Sequence, residues 1–494
     1  MELDQVLLLG STVLLVCVLA ARVGARLGLP SLLLFLGLGI LVAELGLKFQ
    51  NAELAHSLGF AALVVILVEG GFTTRWQDIR GSIPMALLLA TVGVGVSVAL
   101  VATFVHLVLG VDLATAVLLG AIISPTDAAA VFSVLRKVPL PARLRAVLEA
   151  ESGFNDAPIV LLVATATSWT LGGAPQEGPL LVTALIVGEL VGGVLVGVAL
   201  GWLGVQVLRR VALPASGLYP LAAIGWAVLA YGAGSSLHLS GFASVYAAAL
   251  ILGNGRLPHR NATRSFAEGI GWIAQIGLFV MLGMLADPVD LSFQSLGTGL
   301  LIGAVLTFVV RPVSVFLCLV WFKVPWREQV FISWAGLRGA VPIIFATIPL
   351  AASVPRASQL FDVVFAFVVF FTFIQAPPLP WLARLLGVAR EENAIDVEIE
   401  FAPLDNIKAD MMQVHVPEGS RLHGVTIREL RLPKNSVISL VVRDGEPFTP
   451  KPEQIVRTGD DLLIVTNGND RARVERRLRS ISAGGRLARW QDEE

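Results

Sequence analysis

Two short stretches hold the residues best able to do chemistry: Ser124-Pro125-Thr126-Asp127 and, further along, Glu149-Ala150-Glu151-Ser152-Gly153-Phe154-Asn155-Asp156. Both lie inside long apolar runs. A carboxylate at the centre of a bilayer costs about 3 kcal/mol by insertion scales. It persists where a partner, a proton or an ion offsets that cost. Pro125 removes a backbone donor beside Asp127 and interrupts the helix. Irregular backbone at such depth is tolerated only when it is buried in protein or lines a cavity. On a helix, residues three or four apart share a face. Ser152 and Asp156 are therefore expected to look toward Asp127 and Thr126, with Glu151 and Asn155 on the adjacent face. Oxygen donors of this kind suit a hard monovalent cation at Asp156, Ser152 and Thr126. The scarcity of His and the absence of a nearby Cys argue against a transition metal.

A buried carboxylate can lose its penalty by taking a proton or by holding a cation, and one group cannot do both at once. That competition is sufficient for exchange, and Asp156 is the expected shared carrier. Asn155 occupies the other acidic position of a pair, so a single carrier points to one-for-one, electroneutral exchange.

A second interruption falls at Ala335-Gly336-Leu337-Arg338-Gly339-Ala340-Val341-Pro342. Arg338 and Arg311 are the basic residues inside apolar runs, and each needs a partner. Glu151 is expected to pair with Arg338, with capping of a half-helix as the competing role for Arg338. Arg311, followed by Pro312, is left to neutralise another acid or to sit near an interface. Glu69 is read either as a gating group and third ligand or as an acid reaching toward the membrane surface. Glu189 has no evident role. His106 and His238 are placed as packing residues ahead of pH sensors.

The elements that position these groups follow from composition. The chain has 494 residues, 55% of them hydrophobic, with 48 glycines and net charge −1; mean hydropathy is +0.78. That excludes an ordinary soluble protein and gives no sign of a nucleic-acid partner. Cys17 and Cys318 are too isolated to suggest a disulfide or metal site. Thirteen apolar runs are expected to span a bilayer, each needing about 20 residues: 4–21, 29–47, 55–72, 84–110, 113–135, 144–170, 180–208, 217–237, 239–255, 266–286, 295–322, 328–350 and 358–387. Alternate loops hold seventeen basic residues against two in the other set, Lys48 and Arg356. By the positive-inside rule the N-terminus is outside and the chain beyond Arg390 is cytoplasmic. The two interruptions lie seven spans apart, so they cross in opposite directions, as an inverted repeat with two crossed broken helices requires. The fold class is thus an all-α polytopic membrane protein with a small cytoplasmic α+β domain.

That domain begins where charged residues become frequent. Val437–Val442 and Asp461–Thr466 read as strands, Arg443-Asp444-Gly445-Glu446 as a hairpin turn, and Asn469–Ser480 as a basic helix. The expected division is a transmembrane exchanger domain at 1–390, a linker at 391–402, a regulatory domain at 403–484 and a tail at 485–494.

The motifs Ser124-Pro125-Thr126-Asp127, Glu151-Ser152-Gly153-Phe154-Asn155-Asp156 and Gly336-Leu337-Arg338-Gly339-Ala340 resemble those of NhaP-type monovalent cation/proton antiporters. The resemblance implies a homodimer in a bacterial inner membrane, with core and dimerisation domains. It also implies ion binding by Asp156, Ser152, Thr126 and Glu69, with Asp127 lining the site. The segment from Val416-Pro417-Glu418-Gly419-Ser420 to Gly459-Asp460-Asp461-Leu462-Leu463-Ile464-Val465 resembles the TrkA-C (RCK-C) subdomain of potassium-transport regulators. That pairing implies K⁺/H⁺ exchange ahead of Na⁺/H⁺ exchange. No resident cofactor is expected, since a Gly-x-Gly-x-x-Gly nucleotide site is missing; a small regulatory ligand of the C-terminal domain is left open. An intramembrane aspartyl protease is a competing class, but no span carries a Gly-x-Gly-Asp motif. A channel is a third, less suited to titratable acids beside broken helices.

Overall fold

The computed structural model describes residues 3–27, 30–47, 49, 51–127, 130–131, 134, 138, 140–173, 179–255, 257–286, 291–389, 399–404, 409–417, 419–467 and 470–485. The loop charges Lys48, Arg136, Lys137, Glu177, Arg256, Asp287, Asp290 and Arg390, most of the expected linker and all but the first residue of the tail lie outside the described residues. The chain divides into two units, Met1–Ala389 and Arg390–Glu494.

The first unit is helical. Its helices are α1 (Leu3–Leu27), α2 (Ser31–Glu44), α3 (Ala52–Thr73), α4 (Ile83–Leu109), α5 (Leu113–Ile123), α6 (Ala142–Thr170) and α7 (Pro179–Arg210). They continue with α8 (Leu218–Ser236), α9 (Gly241–Asn254), α10 (Arg260–Leu285), α11 (Phe293–Phe322), α12 (Trp326–Ala335), α13 (Ala340–Ala351), α14 (Ala357–Gln375) and the short α15 (Leu379–Leu385). Among the described residues eight helices are long and apolar enough to cross a membrane, and the pair α12–α13, bent by 51°, makes a ninth. Helices α2, α5 and α9 are apolar but shorter.

Small residues let these helices approach closely, as packing in lipid favours. At the α2–α10 seam the fit is reciprocal: a Cβ on Gly39 would overlap the Val280 carbonyl, and one on Gly283 the Leu36 carbonyl. Helices α1 and α7 are the reverse, with 11% of the apolar stretch of each buried. Their outward Leu and Val side chains suit lipid or a partner of equal apolarity. The phenylalanines of α14 divide in the same way: Phe365, Phe367 and Phe371 are core, while Phe370 and Phe373 face outward.

Helices α4 and α11 each contain one π turn, at Leu89–Gly93 and Leu306–Val310, and they pack on each other. Cys318 Sγ lies 3.6 Å from the Leu88 carbonyl. A π turn rotates everything after it relative to an unbroken helix. The second one immediately precedes Arg311.

The second unit is a five-stranded antiparallel sheet of order β1-β2-β5-β3-β4, with β1 Ile399–Leu404, β2 Ala409–His415, β3 Ser436–Arg443, β4 Glu446–Phe448, β5 Asp461–Asn467, and helix α16, Arg471–Gly484. The β3–β4 hairpin turns at Asp444 and Gly445, both at positive φ (53° and 84°), as a tight two-residue turn requires. Val474, Leu478 and Ile481 of α16 share one face and bury it against Met412, Val414, Leu462 and Ile464. Asp460, fully buried, receives two 2.7 Å bonds from Arg443 and a third from the Arg457 amide. The Asp460 carboxylate raises the Arg443 guanidinium above its usual range.

Candidate functional site

Helix α5 starts at Asp112, whose side chain accepts from the Thr115 amide at 2.9 Å, and ends at Ser124 before Pro125. Beyond it the chain is irregular through Thr126 and Asp127. This gap meets the gap between α12 and α13: the Asp127 amide donates to the Leu337 carbonyl at 2.9 Å. The Asp127 carboxylate accepts from the Ala130 amide at 3.2 Å and, at 3.5 Å, from the Val341 amide in the first turn of α13. A carboxylate at a helix N-terminus answers its partial positive charge. Gly339 makes the approach feasible, since a Cβ there would overlap the Asp127 carboxylate.

Thr126 is the hub against α6. Its Oγ1 lies 2.9 Å from Ser152 Oγ and accepts from Asn155 Nδ2 at 2.8 Å. Thr126, Asp127, Ser152, Asn155 and Asp156 are all buried. The expectation for Asn155 is corrected here. It shares the inward face with Ser152, three residues away, rather than siding with Glu151. Among the described residues Asp156 Oδ1 and Asn155 Oδ1 have no hydrogen-bond partner. These are buried acceptors left open on the helix whose Ser152 and Asn155 meet Thr126, and oxygens of this kind are able to take a proton, at the carboxylate, or a small cation.

The expected Glu151–Arg338 bridge is also corrected. Glu151 pairs with Arg311 through one hydrogen bond, Nη2 to Oε2 at 2.9 Å, and an ion-pair contact, Nη1–Oε1 at 2.6 Å, both side chains being buried. Gly336 makes room for this, because a Cβ there would stand 2.8 Å from Arg311 Nε. Arg338 takes the competing role. Its Nη1 donates to the Gly336 carbonyl at 2.8 Å, just past the end of α12, where a cation meets the helix's negative end. Its Nε and Nη2 have no hydrogen-bond partner among the described residues. The Thr372 hydroxyl bonds the Arg338 carbonyl.

Glu69 is held on another helix: Gln275 Nε2 of α10 donates to its Oε2 at 3.1 Å, and Gly271, one turn earlier, leaves space for the carboxylate. Glu189 is placed in α7, where its carbonyl accepts from the Ser240 amide at 3.0 Å. His106 Nδ1 lies 2.7 Å from the Val111 carbonyl and is exposed. Sequence reading missed Gln275, Thr307, Thr372 and Gln375. Gln375 Nε2 bonds Thr307 Oγ1 at 2.9 Å within the second π turn. The available signal was a neutral polar side chain inside an apolar run.

The family model for sodium/hydrogen exchanger, transmembrane, matches residues 11–385, and that for the TrkA-C domain matches residues 411–479. The chain is 33% identical over 461 residues to a protein named K(+)/H(+) antiporter NhaP from Alkalimonas amylolytica, covering 91% of this chain and 79% of that one. It is 32% identical over 475 residues to K(+)/H(+) antiporter NhaP2 from Shewanella sp. (strain ANA-3), covering 94% and 81%. A protein named Na(+)/H(+) antiporter NhaH, from Halobacillus dabanensis, is 28% identical over 339 residues, covering 66% and 82%. The structure of the sodium proton antiporter MjNhaP1 from Methanocaldococcus jannaschii at pH 8 superposes with a TM-score of 0.66 at 23% identity, covering 78% of this chain and all of that one.

Proposed function

Because the chain belongs to the sodium/hydrogen exchanger family of monovalent cation/proton antiporters, we propose that it exchanges K⁺, and less readily Na⁺, for H⁺ by alternating access, with both ions competing for Asp156. It is a multi-pass membrane transporter, not an enzyme; family membership leaves no place for the protease reading.

The observation that carries the mechanism is the buried Asp156 Oδ1, without a hydrogen-bond partner among the described residues, on the same helix that brings Ser152 and Asn155 to Thr126. A charge count supports electroneutral exchange. Among the described residues, the buried charged groups around the two breaks are Asp127, Glu151 and Asp156 against Arg311 and Arg338. Three carboxylates and two guanidiniums leave one negative charge. One proton or one monovalent cation brings the set to neutrality, and the empty set is costly to carry across. Each loaded state then crosses uncharged.

The preference for K⁺ rests on the K⁺/H⁺ names of the more similar relatives and on the TrkA-C domain. The Na⁺/H⁺ alternative is favoured by the NhaH and MjNhaP1 likenesses. Proteoliposomes with an imposed pH gradient, given Na⁺, K⁺, Li⁺ or Rb⁺ in turn, decide between them. K⁺ and Rb⁺ should dissipate the gradient at the lowest concentrations, with no effect of a clamped membrane potential. Activity with Na⁺ and Li⁺ alone would assign Na⁺/H⁺ exchange, and inertness toward all four would remove the proposal.

For the architecture we propose thirteen spans, α12 and α13 forming one, arranged as an inverted repeat in a homodimer. The π turns of α4 and α11, seven spans apart, support the repeat. We place the N-terminus outside a bacterial inner membrane and residues 403–484 in the cytoplasm as a regulatory domain after a linker at 391–402. No resident cofactor is proposed. Deleting 403–494 is expected to leave exchange intact while shifting its pH or ligand dependence; an unshifted profile would make the domain a passive clasp.

A further inference from the structure

Thr126, Ser152 and Asp156 are each at most 2% exposed, so a cation reaches them only past a side chain that moves. At the membrane face where α6 begins with Arg143 and Arg145, the end of α3, the start of α6 and the C-terminal half of α9 converge. Asn254 ties two of these elements. Its amide donates to the Thr74 carbonyl and its oxygen accepts from the Trp76 amide, both at 2.9 Å. Ile79, Ala146 and Leu250 form a small apolar cluster there, separate from the main core.

One turn deeper, Tyr246 of α9 fills the crevice between α3 and α6. A Cβ built on Gly70 would lie 3.9 Å from its ring, and one on Gly153 would lie 2.9 Å from its hydroxyl oxygen and 3.0 Å from Cζ. Phe154 meets the ring edge-on at 5.6 Å. Gly153 is mid-helix, where glycine costs about 1 kcal/mol relative to alanine; the seated ring accounts for it. From this face the order is apolar cluster, Tyr246, then Asp156 one turn beyond Gly153.

We propose that Tyr246 is the gate on this side of the membrane: its ring, seated in the notch at Gly153, bars the cation's route to Asp156, and each turnover requires the ring to leave. The inference rests on Asp156 as the ion site, yet its test does not depend on transport. Cys17 and Cys318 are replaced by Ser, Asp156→Cys is introduced into the full chain, and a cationic, membrane-impermeant thiol reagent is applied to vesicles of either orientation. Adding Tyr246→Ala or Gly153→Ala should raise labelling of the introduced thiol roughly tenfold or more from the α6 N-terminal side alone, as a shift toward an open population predicts. Tyr246→Phe, which keeps the ring, should leave the rate near that of the parent. The two opening variants act by different means, one deleting the ring and one filling its notch, so either can be read if the other fails to fold. Unchanged labelling, or an equal rise from both sides, would overturn the gate. Failure of the ion-site reading would show instead as exchange persisting in Asp156→Asn.

Discussion

Asp156→Asn is expected to abolish cation-driven proton movement while leaving a folded protein that melts no lower than the parent. The two side chains have nearly the same shape, so the contacts around α6 survive. What changes is that the amide neither takes up a proton nor offers a negative charge. With Asp156 neutral, the buried set balances permanently, two carboxylates against two guanidiniums, and nothing remains for either ion to neutralise. Removing a buried carboxylate that has an open oxygen also removes a desolvation cost of several kcal/mol. A second readout follows from linkage. A cation at a hundred times its Kd stabilises the parent by about 2.7 kcal/mol, so K⁺ should raise the melting temperature of the parent and not that of the variant. Full exchange in Asp156→Asn would take the carrier role away from this residue.

The fold was legible where the signal is a run of apolar residues or a charge that has no business in one. At Ser124–Asp127 the sequence signal is Pro125 and Asp127; the helix ends at Ser124, and the Asp127 amide meets the Leu337 carbonyl. The turn at Asp444-Gly445 was equally plain, since those residue types suit positive φ. What the sequence hid is rotation about helix axes. Spacing of i to i+4 puts Asn155 on the face of Glu151, but Ser152 to Asn155, at i to i+3, shares a face just as well. The partner of Glu151 was hidden for a deeper reason. The π turn at Leu306–Val310 resets the direction of Arg311, and no residue in Leu306-Thr307-Phe308-Val309-Val310 marks it. Gln275 holding Glu69 leaves only a faint signal, because one neutral amide barely alters the hydropathy of α10.

The corrected pairing makes its own prediction, which separates it from the bridge first expected. Glu151→Gln and Arg311→Gln should each cost about 3–5 kcal/mol, since each leaves one buried charge without the partner that compensates it. Arg338→Gln should cost less: it gives up one bond to the Gly336 carbonyl, worth about 1.5–3 kcal/mol for a charged donor, and relieves two nitrogens that have no acceptor among the described residues. Thermal melts in detergent would then rank Glu151→Gln and Arg311→Gln together and well below Arg338→Gln. Combining Glu151→Gln with Arg311→Gln should recover most of the loss, because the pair's worth lies in mutual compensation. If Arg338→Gln melts as low as Arg311→Gln, Glu151 divides its charge between the two guanidiniums and the single bridge is wrong. Transport gives an independent check on the same variants. Without Glu151 the buried set is already neutral when empty, so a bound cation would leave it positive, and the apparent affinity for K⁺ should fall. Without Arg311 the set holds one more negative charge, and the apparent affinity should rise. Opposite shifts from two variants of similar stability are what an electrostatic count requires and what general loosening of the fold does not produce.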